Sequence, residues 1–536
     1  MDKIENNRIH VLIIVLLVVL GIVVSSMYTY GDDIRADEVF SLGFANNTRD
    51  FLFLTKAVCD EYSSDGWLSG EFIKEYFAVE KGEELAIMSI HRNVRNDVHP
   101  PLYFMLLNAV SSLWTGEYTV MPGHIINITI AAVMLVFLYL IGNRLLTNKL
   151  EAAMISVMWI GSIGAADSIN YIRMYLALCT ITVIVIYISM LIMEDNTGVI
   201  LYIVSGMCVT VGTLVHYYFY IMFFFVLVYV SIWHISHKRY KRLAIYYGFV
   251  GLGEAISLAL YPYAFKHMLF SDRGEQVQEH LANTDLNYYL EHAKGFAATI
   301  NTEIFNGYAW IVLVVLLILF CVKVVRKKNS RLQIFRDNSN NNLGLLVTVI
   351  VGYFAVLFKI SYSYNWLYIS LIYALVDIVL VCVIAYLCEN LFNARGIIVL
   401  VVCIFIFSAI GVYISTTESL HKHEAAVVRE ENLNSYVKNN PVIFVYDEWE
   451  NTLDNQNATL INADCIYFIK GCDLSDTKWD EIMNKCPTST GEIIFYLSAE
   501  VKDGERYVTE CADLLGMNYS NCIWKDNYII SLLKKE

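Results

Sequence analysis

The sequence predicts a polytopic α-helical membrane protein of about 11 spans, followed by a small extracytoplasmic α/β domain. Its 536 residues are 57% hydrophobic and only 17% charged, and the mean hydropathy is +0.50. Soluble domains carry about 25% charged residues, so this composition is typical of a protein that lies in a bilayer. Many apolar runs also reach the roughly 20 residues that a helix needs to cross the hydrocarbon core.

Eleven apolar runs are predicted to span the membrane, and most are bounded by polar or basic residues. The first could be mistaken for a signal peptide, but no small-residue cleavage site follows it, so we interpret it as a true span. The predicted spans are residues 9–27, 121–141, 151–167, 172–193, 199–215, 218–234, 244–262, 304–322, 343–359, 366–388 and 396–415.

Lysine and arginine in the short loops predict the orientation of these spans. Basic connections at 142–149, 234–242, 323–336 and 393–395 all fall on one side, which the positive-inside rule assigns to the cytoplasm. This parity holds only if the apolar run 102–114 does not cross. That run is short and begins after two prolines, so we expect a re-entrant or surface-lying helix, with Asp97 as its cap.

Two large regions, the first outer loop at 28–98 and the tail at 416–536, are then expected outside the membrane. The loop belongs to the membrane module, residues 1–415, and the tail forms the α/β domain. In this tail the β-type runs "PVIFVYDEW", "GEIIFYLSAE" and "NYIISLL" alternate with the helix-like runs "TKWDEIMNK" and "ERYVTECADLLG". The tail holds 21 acidic and 11 basic residues, so it supplies most of the net charge of −14.

The cysteines fall into two groups with different expectations. Six of the 12 lie in apolar spans, where a cysteine is usually a small buried hydrophobe. Five lie in the tail, where an oxidising compartment could pair four of them or leave them free; the odd count and spacing disfavour a zinc site. These five are Cys465, Cys472, Cys486, Cys511 and Cys522.

An acidic pair, Asp37 and Glu38, follows the first span. It could simply be the solvated start of a loop, because acids at a non-cytoplasmic helix end cost little free energy. Apolar and aromatic residues follow the pair, however, and would hold a carboxylate against the membrane surface, where partial desolvation raises its pKa and suits it to act as a base. We therefore single out Asp37 and Glu38 as candidate catalytic residues.

The stretch "RNDVHPPLYFMLLN" places Asp97 and His99 directly before the short apolar run. Helix initiation by the prolines explains part of the pattern but does not explain His99. A carboxylate and an imidazole two residues apart can bind a divalent cation or orient a phosphate, although a single Asp-x-His is a weak metal signal.

Arg173 and Tyr175, in "YIRMY" between two spans, lie on the side of the membrane where positive residues are disfavoured. A snorkelling arginine is the ordinary explanation. A planar guanidinium beside aromatic rings is also well suited to bind a phosphate bidentately at the head-group level. The pattern therefore favours a phosphate-binding role for Arg173.

Three further polar residues are expected at outer helix ends. His216 and Tyr217 form the tight connection in "LVHYYFY", where an interfacial aromatic belt accounts for the tyrosine better than for the histidine. Lys359 in "FKISYSYN" would snorkel by default, and a phosphate contact is the alternative.

Taken in order, these positions resemble a known family, the bacterial membrane glycosyltransferases of the C superfamily. This group includes the protein O-mannosyltransferases of family 39 and the aminoarabinose transferase of lipid A. The resemblance covers roughly residues 9–235 and rests on Asp37-Glu38, "DVHPPLYFMLLN", "YLIGNRLL", "YIRMYLAL" and His216-Tyr217.

The resemblance implies a polyprenyl-phosphate sugar donor and an acceptor reached from the outer face, with Asp37 as base or as a metal ligand. The sequence departs from the family in its second half. Relatives carry Arg-Tyr before a proline-rich helix, whereas "YSYNWLYISLIYAL" has neither arginine nor proline, and Lys359 is expected to substitute.

Other functions remain open from the sequence. A transporter or lipid flippase would show charged or broken helices near the membrane midplane and inverted repeats, whereas here the ionisable residues are expected to gather at outer helix ends. A non-catalytic scaffold or a cell-surface polymer ligase is a third alternative. The basic clusters are short loop anchors, so no nucleic-acid partner is expected.

Overall fold

The structure is a computed structural model of the full chain. It describes residues 2–30, 35–48, 66–95, 97–194, 198–270, 276–277, 279–281, 285–326, 334–361, 365–446, 457–470, 479–484, 486, 491–498, 504–525 and 528–535. Cys472 and part of the basic loop 323–336 lie outside these ranges.

The described residues contain long helices first and a small sheet near the C-terminus. The helices are α1 (Asp2–Tyr28), α2 (Ala36–Asn46), α3 (Glu71–Phe77), α4 (Ile87–Val94), α5 (Leu102–Ser111), α6 (Met121–Leu145), α7 (Lys149–Ile160), α8 (Ile163–Asn170), α9 (Tyr175–Ile192), α10 (Val199–Val215), α11 (Tyr218–Ser236), α12 (Tyr240–Leu260), α13 (Ala264–Phe270), α14 (Leu286–Glu303), α15 (Ala309–Arg326), α16 (Ser339–Ile360), α17 (Trp366–Phe392), α18 (Gly396–Asn439), α19 (Asn457–Leu460), α20 (Trp479–Asn484) and α21 (Gly504–Leu514). The strands are β1 (Val442–Tyr446), β2 (Ile466–Lys470), β3 (Glu492–Ser498), β4 (Asn518–Lys525) and β5 (Tyr528–Lys534).

The chain divides into two compact units. The first unit contains Met1–Tyr30, Val98–Tyr103 and His124–Ser419, and the second contains Gly31–Asp97, Phe104–Gly123 and Leu420–Glu536. The first outer loop therefore groups with the tail, whereas the sequence interpretation had placed it with the spans. The helical part also extends beyond residue 415, since α18 continues to Asn439.

Each predicted span overlaps a helix of the first unit. Among the described residues, eight helices are long and apolar enough to cross a membrane, and a bent pair raises this number to nine. Helices α10 and α15 are apolar but have only 17 qualifying residues each. A multi-pass helical protein is thus confirmed, and the count of 11 spans stays a prediction.

Helices α9 and α17 form the centre of the first unit. They pack against each other, and α17 also contacts α7, α8, α15 and α16. Most of their residues are buried by neighbouring helices, unlike those of α1 and α12, whose apolar side chains are largely exposed at the surface of the unit. Apolar residues all around α9 and α17 suit this central position.

The predicted span 151–167 is not one straight helix. Helices α7 and α8 meet at an angle of 62° across Gly161 and Ser162. The Asn306 side chain satisfies the broken backbone: its Nδ2 donates to the Gly161 carbonyl at 3.1 Å, and its Oδ1 accepts from the Ile163 N–H at 2.9 Å. A Cβ at Gly161 would lie 2.3 Å from Ser408 Cβ, so α18 packs directly on the break.

Helix α5 has ten residues and is about 15 Å long at 1.5 Å per residue, too short to cross the roughly 30 Å hydrocarbon core. This agrees with the prediction that run 102–114 does not cross. Asp97 is not at the N-cap position that was expected, because the helix begins at Leu102, five residues further along the chain.

The tail contains a five-stranded sheet with strand order β2-β1-β3-β5-β4. Strands β2, β1 and β3 are parallel, while β5 is antiparallel to β3 and to β4. The small C-terminal α/β domain is thereby confirmed. Side chains of β1, β3, β5 and α21 form its apolar core, including Val445, Phe495 and Val508.

Of the four tail cysteines that the structure describes, two are buried and two, Cys486 and Cys522, are half-buried. Cys465 and Cys511 are buried, and burial raises the pKa of the Cys511 thiol to about 12. A thiol with so high a pKa is a poor nucleophile at neutral pH. These cysteines therefore behave as core or surface residues in this structure.

Candidate functional site

His216 lies where α10 ends. Residues up to Val215 are helical, and His216 itself has an extended backbone with φ −162°. Its Nδ1 accepts the Tyr218 N–H at 3.0 Å, so the proton of the neutral ring belongs on Nε2. Because only 6% of His216 is exposed, this Nε2 is held in a largely dehydrated environment.

Three aromatic rings surround His216. The ring centroids of His99, Tyr175 and Tyr218 lie 5.7, 5.3 and 4.9 Å from it. His99 comes from the segment before α5, Tyr175 begins α9 and Tyr218 begins α11. The structure thus brings together three of the residues selected from the sequence, from three distant parts of the chain.

The motif that contains His99 also supports the segment before Arg173. Tyr103 Oη donates to Asn127 Oδ1 at 3.4 Å. Asn127 Nδ2 then donates to the Ile169 carbonyl at 3.0 Å and to the Tyr171 carbonyl at 2.8 Å. One buried amide therefore fixes the backbone that leads out of α8.

Arg173 follows this fixed backbone directly. Its N–H donates to the Tyr171 carbonyl at 2.8 Å, and only 5% of the residue is exposed. Tyr171 stacks on Tyr175 at 6.3 Å and contacts the Trp366 ring at 5.6 Å. The buried guanidinium of Arg173 carries a planar fork of donors, which suits bidentate phosphate binding.

Tyr217 has partners different from those of its neighbour His216. Its hydroxyl shares a hydrogen bond of 2.9 Å with His267 Nδ1, and His267 also contacts the Tyr261 ring at 5.8 Å. His267 is buried in the short helix α13. The phenol of Tyr217 is thus oriented by an imidazole that the sequence analysis did not select.

Lys359 lies near the end of α16 in a further polar group. Its Nζ donates to Tyr289 Oη and stands 4.8 Å from the centroid of that ring. The adjacent Tyr288 donates to the Ser361 carbonyl at 3.2 Å, a carbonyl that His292 Nε2 also contacts at 2.8 Å. Burial, with a contribution from Tyr289, raises the pKa of Tyr288, so its phenol stays protonated as a donor.

The acidic pair belongs to the second unit, where the two carboxylates have different surroundings. Glu38 is 3% exposed, and its carboxylate accepts the Arg35 N–H at 2.6 Å in a capping box at the start of α2. Asp37 is half-buried beside it in the first turn. Glu38 is therefore committed to holding the helix start, and Asp37 is the more accessible acid.

Two buried amides hold helix α2 in the second unit. Asn46 Nδ2 donates to the Phe77 carbonyl at 2.7 Å. Asn93 Nδ2 donates to the Phe44 carbonyl at 3.1 Å and to the Asn47 carbonyl at 2.7 Å. Helix α2 is consequently held on two sides: Asn46 bonds it to α3, and Asn93 bonds α4 to it.

Asp97 and His99 were the residues expected to hold a metal ion. Within the described ranges, no group of three or more His, Cys, Asp and Glu side chains could hold one. Both residues are half-buried. A cation at this position would take most of its ligands from water or from a bound phosphate.

Several supporting residues were missed from the sequence. His267 and Tyr289 contact the selected side chains of Tyr217 and Lys359. Asn127 holds the backbone before Arg173, and Asn306 holds the backbone at the break between α7 and α8. Asn127 gave a usable signal, since it is a polar residue within an otherwise apolar span. The others connect segments that are distant in sequence, and nothing in their local patterns shows the pairing.

Solved structures similar to this chain include two of one protein. They are the crystal structures of ArnT from Cupriavidus metallidurans, one bound to undecaprenyl phosphate and one in the apo state. The TM-scores are 0.53 and 0.52, with 10% sequence identity, and each comparison covers 97% of both chains. No family model matches the sequence, and no curated protein matches it.

The chain therefore shares the fold of ArnT over nearly its whole length. At the level of the fold, this confirms the resemblance drawn from the sequence motifs. The likeness includes the tail, which that resemblance had left uncovered.

Proposed function

We propose that this protein transfers a sugar from a polyprenyl-phosphate donor to a cell-envelope glycan, lipid or protein at the outer face of the plasma membrane. The observation that carries the proposal is the cluster of His99, Tyr175 and His216, with the buried Arg173 two residues before Tyr175. It lies in a chain with the fold of a protein crystallised with undecaprenyl phosphate.

The first unit supplies groups suited to the lipid phosphate. Arg173 offers a planar fork, His216 an Nε2–H in a dry environment and Lys359 a point charge. A polyprenyl phosphate is a good leaving group once its negative charge is stabilised, so these donors would lower the barrier to breaking the sugar–phosphate bond.

The second unit supplies the candidate base. Asp37 would accept the proton of the acceptor hydroxyl as that oxygen attacks the sugar carbon, and Glu38 would keep the helix start in place. Asp97 and His99 would contact the donor phosphate, directly or with a divalent cation. The cation is tested by removing it with a chelator and measuring donor affinity.

The location of this chemistry outside the cytoplasm is also part of the proposal. It rests on the basic loops and on the short helix α5, which together predict an external tail. Single cysteines introduced at Thr115 and Lys438 should react with a membrane-impermeant reagent in intact cells. Protection of both positions from the reagent would show that the orientation is the opposite of the one proposed.

The experiment that tests the function uses purified protein in liposomes. Undecaprenyl phosphate should bind saturably, and undecaprenyl-phosphate hexoses or pentoses, tried as a panel, should release undecaprenyl phosphate when acceptor extract is added. Absence of saturable lipid binding, or binding with no sugar release from any donor in the panel, would contradict the proposal.

Two observations favour a lipid transporter as a second candidate function. Asp377 is fully buried near the middle of α17, and the span formed by α7 and α8 is broken. Asp377 departs from the expectation that ionisable residues gather at outer helix ends. Buried charges and broken helices in the membrane often mark transport pathways.

A flipping assay separates the two candidates. Fluorescent undecaprenyl phosphate in the inner leaflet of liposomes should stay inaccessible to an external quencher in the presence of a transferase. Rapid lipid exposure that is abolished by Asp377→Asn, without any sugar release, would identify a transporter instead.

A further inference from the structure

The first outer loop joins the tail sheet through a short segment, Trp67–Gly70, which we name the clasp. Leu68 forms an antiparallel bridge with Ile466: Leu68 N donates to Ile466 O at 2.8 Å, and Ile466 N donates to Leu68 O at 2.6 Å. The clasp thereby adds a short strand beside β2, which is otherwise the edge of the sheet.

Trp67 anchors the clasp in the tail. Its Nε1 donates to the Ile482 carbonyl of α20 at 2.9 Å, and its ring lies 5.5 Å from that of Tyr467. The side chain also packs against the apolar core of the sheet. An indole with both its ring and its N–H engaged is the kind of side chain that fixes a contact.

Gly70 sets the distance between the clasp and the tail. Its N–H donates to the Ala463 carbonyl at 2.8 Å. A Cβ at this position would lie 2.3 Å from the Leu460 carbonyl oxygen and 2.5 Å from that of Ile461. Its φ of −61° is open to any residue, so close approach of two backbones is what requires glycine here.

Helix α3 begins immediately after Gly70 and contacts the acidic helix. At Gly43 of α2, a Cβ would meet the Tyr76 ring of α3 at 2.4 to 2.6 Å. Asn46 reaches from α2 to the Phe77 carbonyl at 2.7 Å, and both residues are buried. A continuous series of tight contacts thus runs from strand β2 through the clasp and α3 to α2.

We propose that the tail domain positions the acidic helix α2, and that Trp67 and Gly70 are positioning residues for the reaction at Asp37. The inference rests on the proposed function, because it gives the tail a role only if α2 carries the base. A small displacement of a catalytic group can lower the rate up to about 100-fold. Loosening the clasp should therefore reduce turnover while lipid-phosphate binding, supplied by the first unit, is unchanged.

The test uses full-length protein with Trp67→Ala, and Trp310→Ala as the matched control, since Trp310 is 66% exposed on α15. We expect Trp67→Ala to lower turnover about 10- to 100-fold with unchanged affinity for undecaprenyl phosphate. The control should keep both values. Unchanged turnover in Trp67→Ala, or equal loss of affinity and turnover, would overturn the proposal.

A reversible cross-link distinguishes positioning from general damage. Hydrogen-bonded antiparallel partners have Cα atoms about 5.5 Å apart, within the range of disulfides. In a Cys465→Ala background, Leu68→Cys with Ile466→Cys should therefore bridge on oxidation. When this cysteine pair is combined with Trp67→Ala, oxidation should restore turnover and reduction should lower it again. Turnover that stays low in the oxidised protein would contradict the inference.

Hydrogen exchange of α2 tests the clasp independently of any sugar transfer. Amides of residues 36–46 should exchange faster in Trp67→Ala and return to normal in the oxidised double-cysteine protein. Unchanged exchange would refute the positioning role even if the transferase is confirmed. Faster exchange in a protein that binds no lipid phosphate would refute only the proposed function.

Discussion

The surroundings of His216 and those of Asp37 are built by different means. In the first unit the rings of His99, Tyr175 and His216 contact one another, and Asn127 bonds to the adjoining backbone. In the second unit, Glu38, Asn46 and Asn93 hold the backbone of α2, on which Asp37 lies half-buried in the first turn. Binding residues thus also make up their own scaffold, whereas the acid depends on a separate one.

The largest expected effect comes from removing the acid while its scaffold is kept. Asp37→Asn preserves shape but cannot accept a proton, so turnover should fall by about 10²- to 10⁴-fold, with little change in donor affinity. Transfer rate and lipid affinity of the variant in liposomes provide the measurement. Turnover near that of the wild type would remove Asp37 from the mechanism and make Asp97 the next candidate.

A smaller effect, a loss of affinity for the lipid phosphate, is expected from Arg173→Lys in the first unit. Loss of one charge-assisted hydrogen bond is worth about 1.5–3 kcal/mol, or roughly a 10- to 100-fold weaker affinity for undecaprenyl phosphate. Arg242→Lys, in the basic loop 234–242, is the matched control and should bind normally. Equal affinity in Arg173→Lys would make Arg173 an ordinary interfacial anchor.

Two buried asparagines test the comparison directly. Asn127→Leu and Asn93→Leu each remove donors to two carbonyls, at a cost of about 1–3 kcal/mol in stability for each carbonyl left buried and unpaired. Both should lower the thermal unfolding temperature. Asn127→Leu should weaken lipid-phosphate binding, whereas Asn93→Leu should reduce turnover. The same functional loss in both variants would show that the surroundings of His216 and of Asp37 do not differ in this way.

The smallest effect is expected for Glu38→Gln. The amide oxygen of glutamine can still accept the Arg35 N–H, so the capping box survives with a weaker, uncharged hydrogen bond. Turnover should drop only a few-fold. A loss as large as that of Asp37→Asn would show that Glu38 shares the proton chemistry.

Much of the fold could be predicted from the sequence because apolar runs directly report helices that contact lipid or each other. The apolar run 151–167 nevertheless gives no sign of the break at Gly161, because the side chain that stabilises the break belongs to Asn306, 145 residues away. In the tail, β1, β3 and β5 match apolar β-type runs. Strand β2, a short apolar run of five residues, and the polar edge strand β4 were not foreseen; pairing with β5 rather than composition defines β4.

The candidate site shows the same limit. Histidine and arginine at unexpected membrane positions could be selected from their chemistry alone, and the structure places His99, Tyr175 and His216 together. The different tasks of Asp37 and Glu38 could not be read from two adjacent acids. They depend on which carboxylate reaches the Arg35 N–H, a detail set by the local turn.

The break between α7 and α8 also imposes an order on biosynthesis. Its backbone partner, Asn306, is translated 143 residues after Ile163, and a Cβ at Gly411 would lie only 1.9 Å from the Gly161 carbonyl oxygen. The early span therefore enters the membrane before either partner exists and waits with unpaired backbone groups in lipid. Nascent chains arrested before residue 306 should be degraded by membrane proteases, while completed chains close the break and persist.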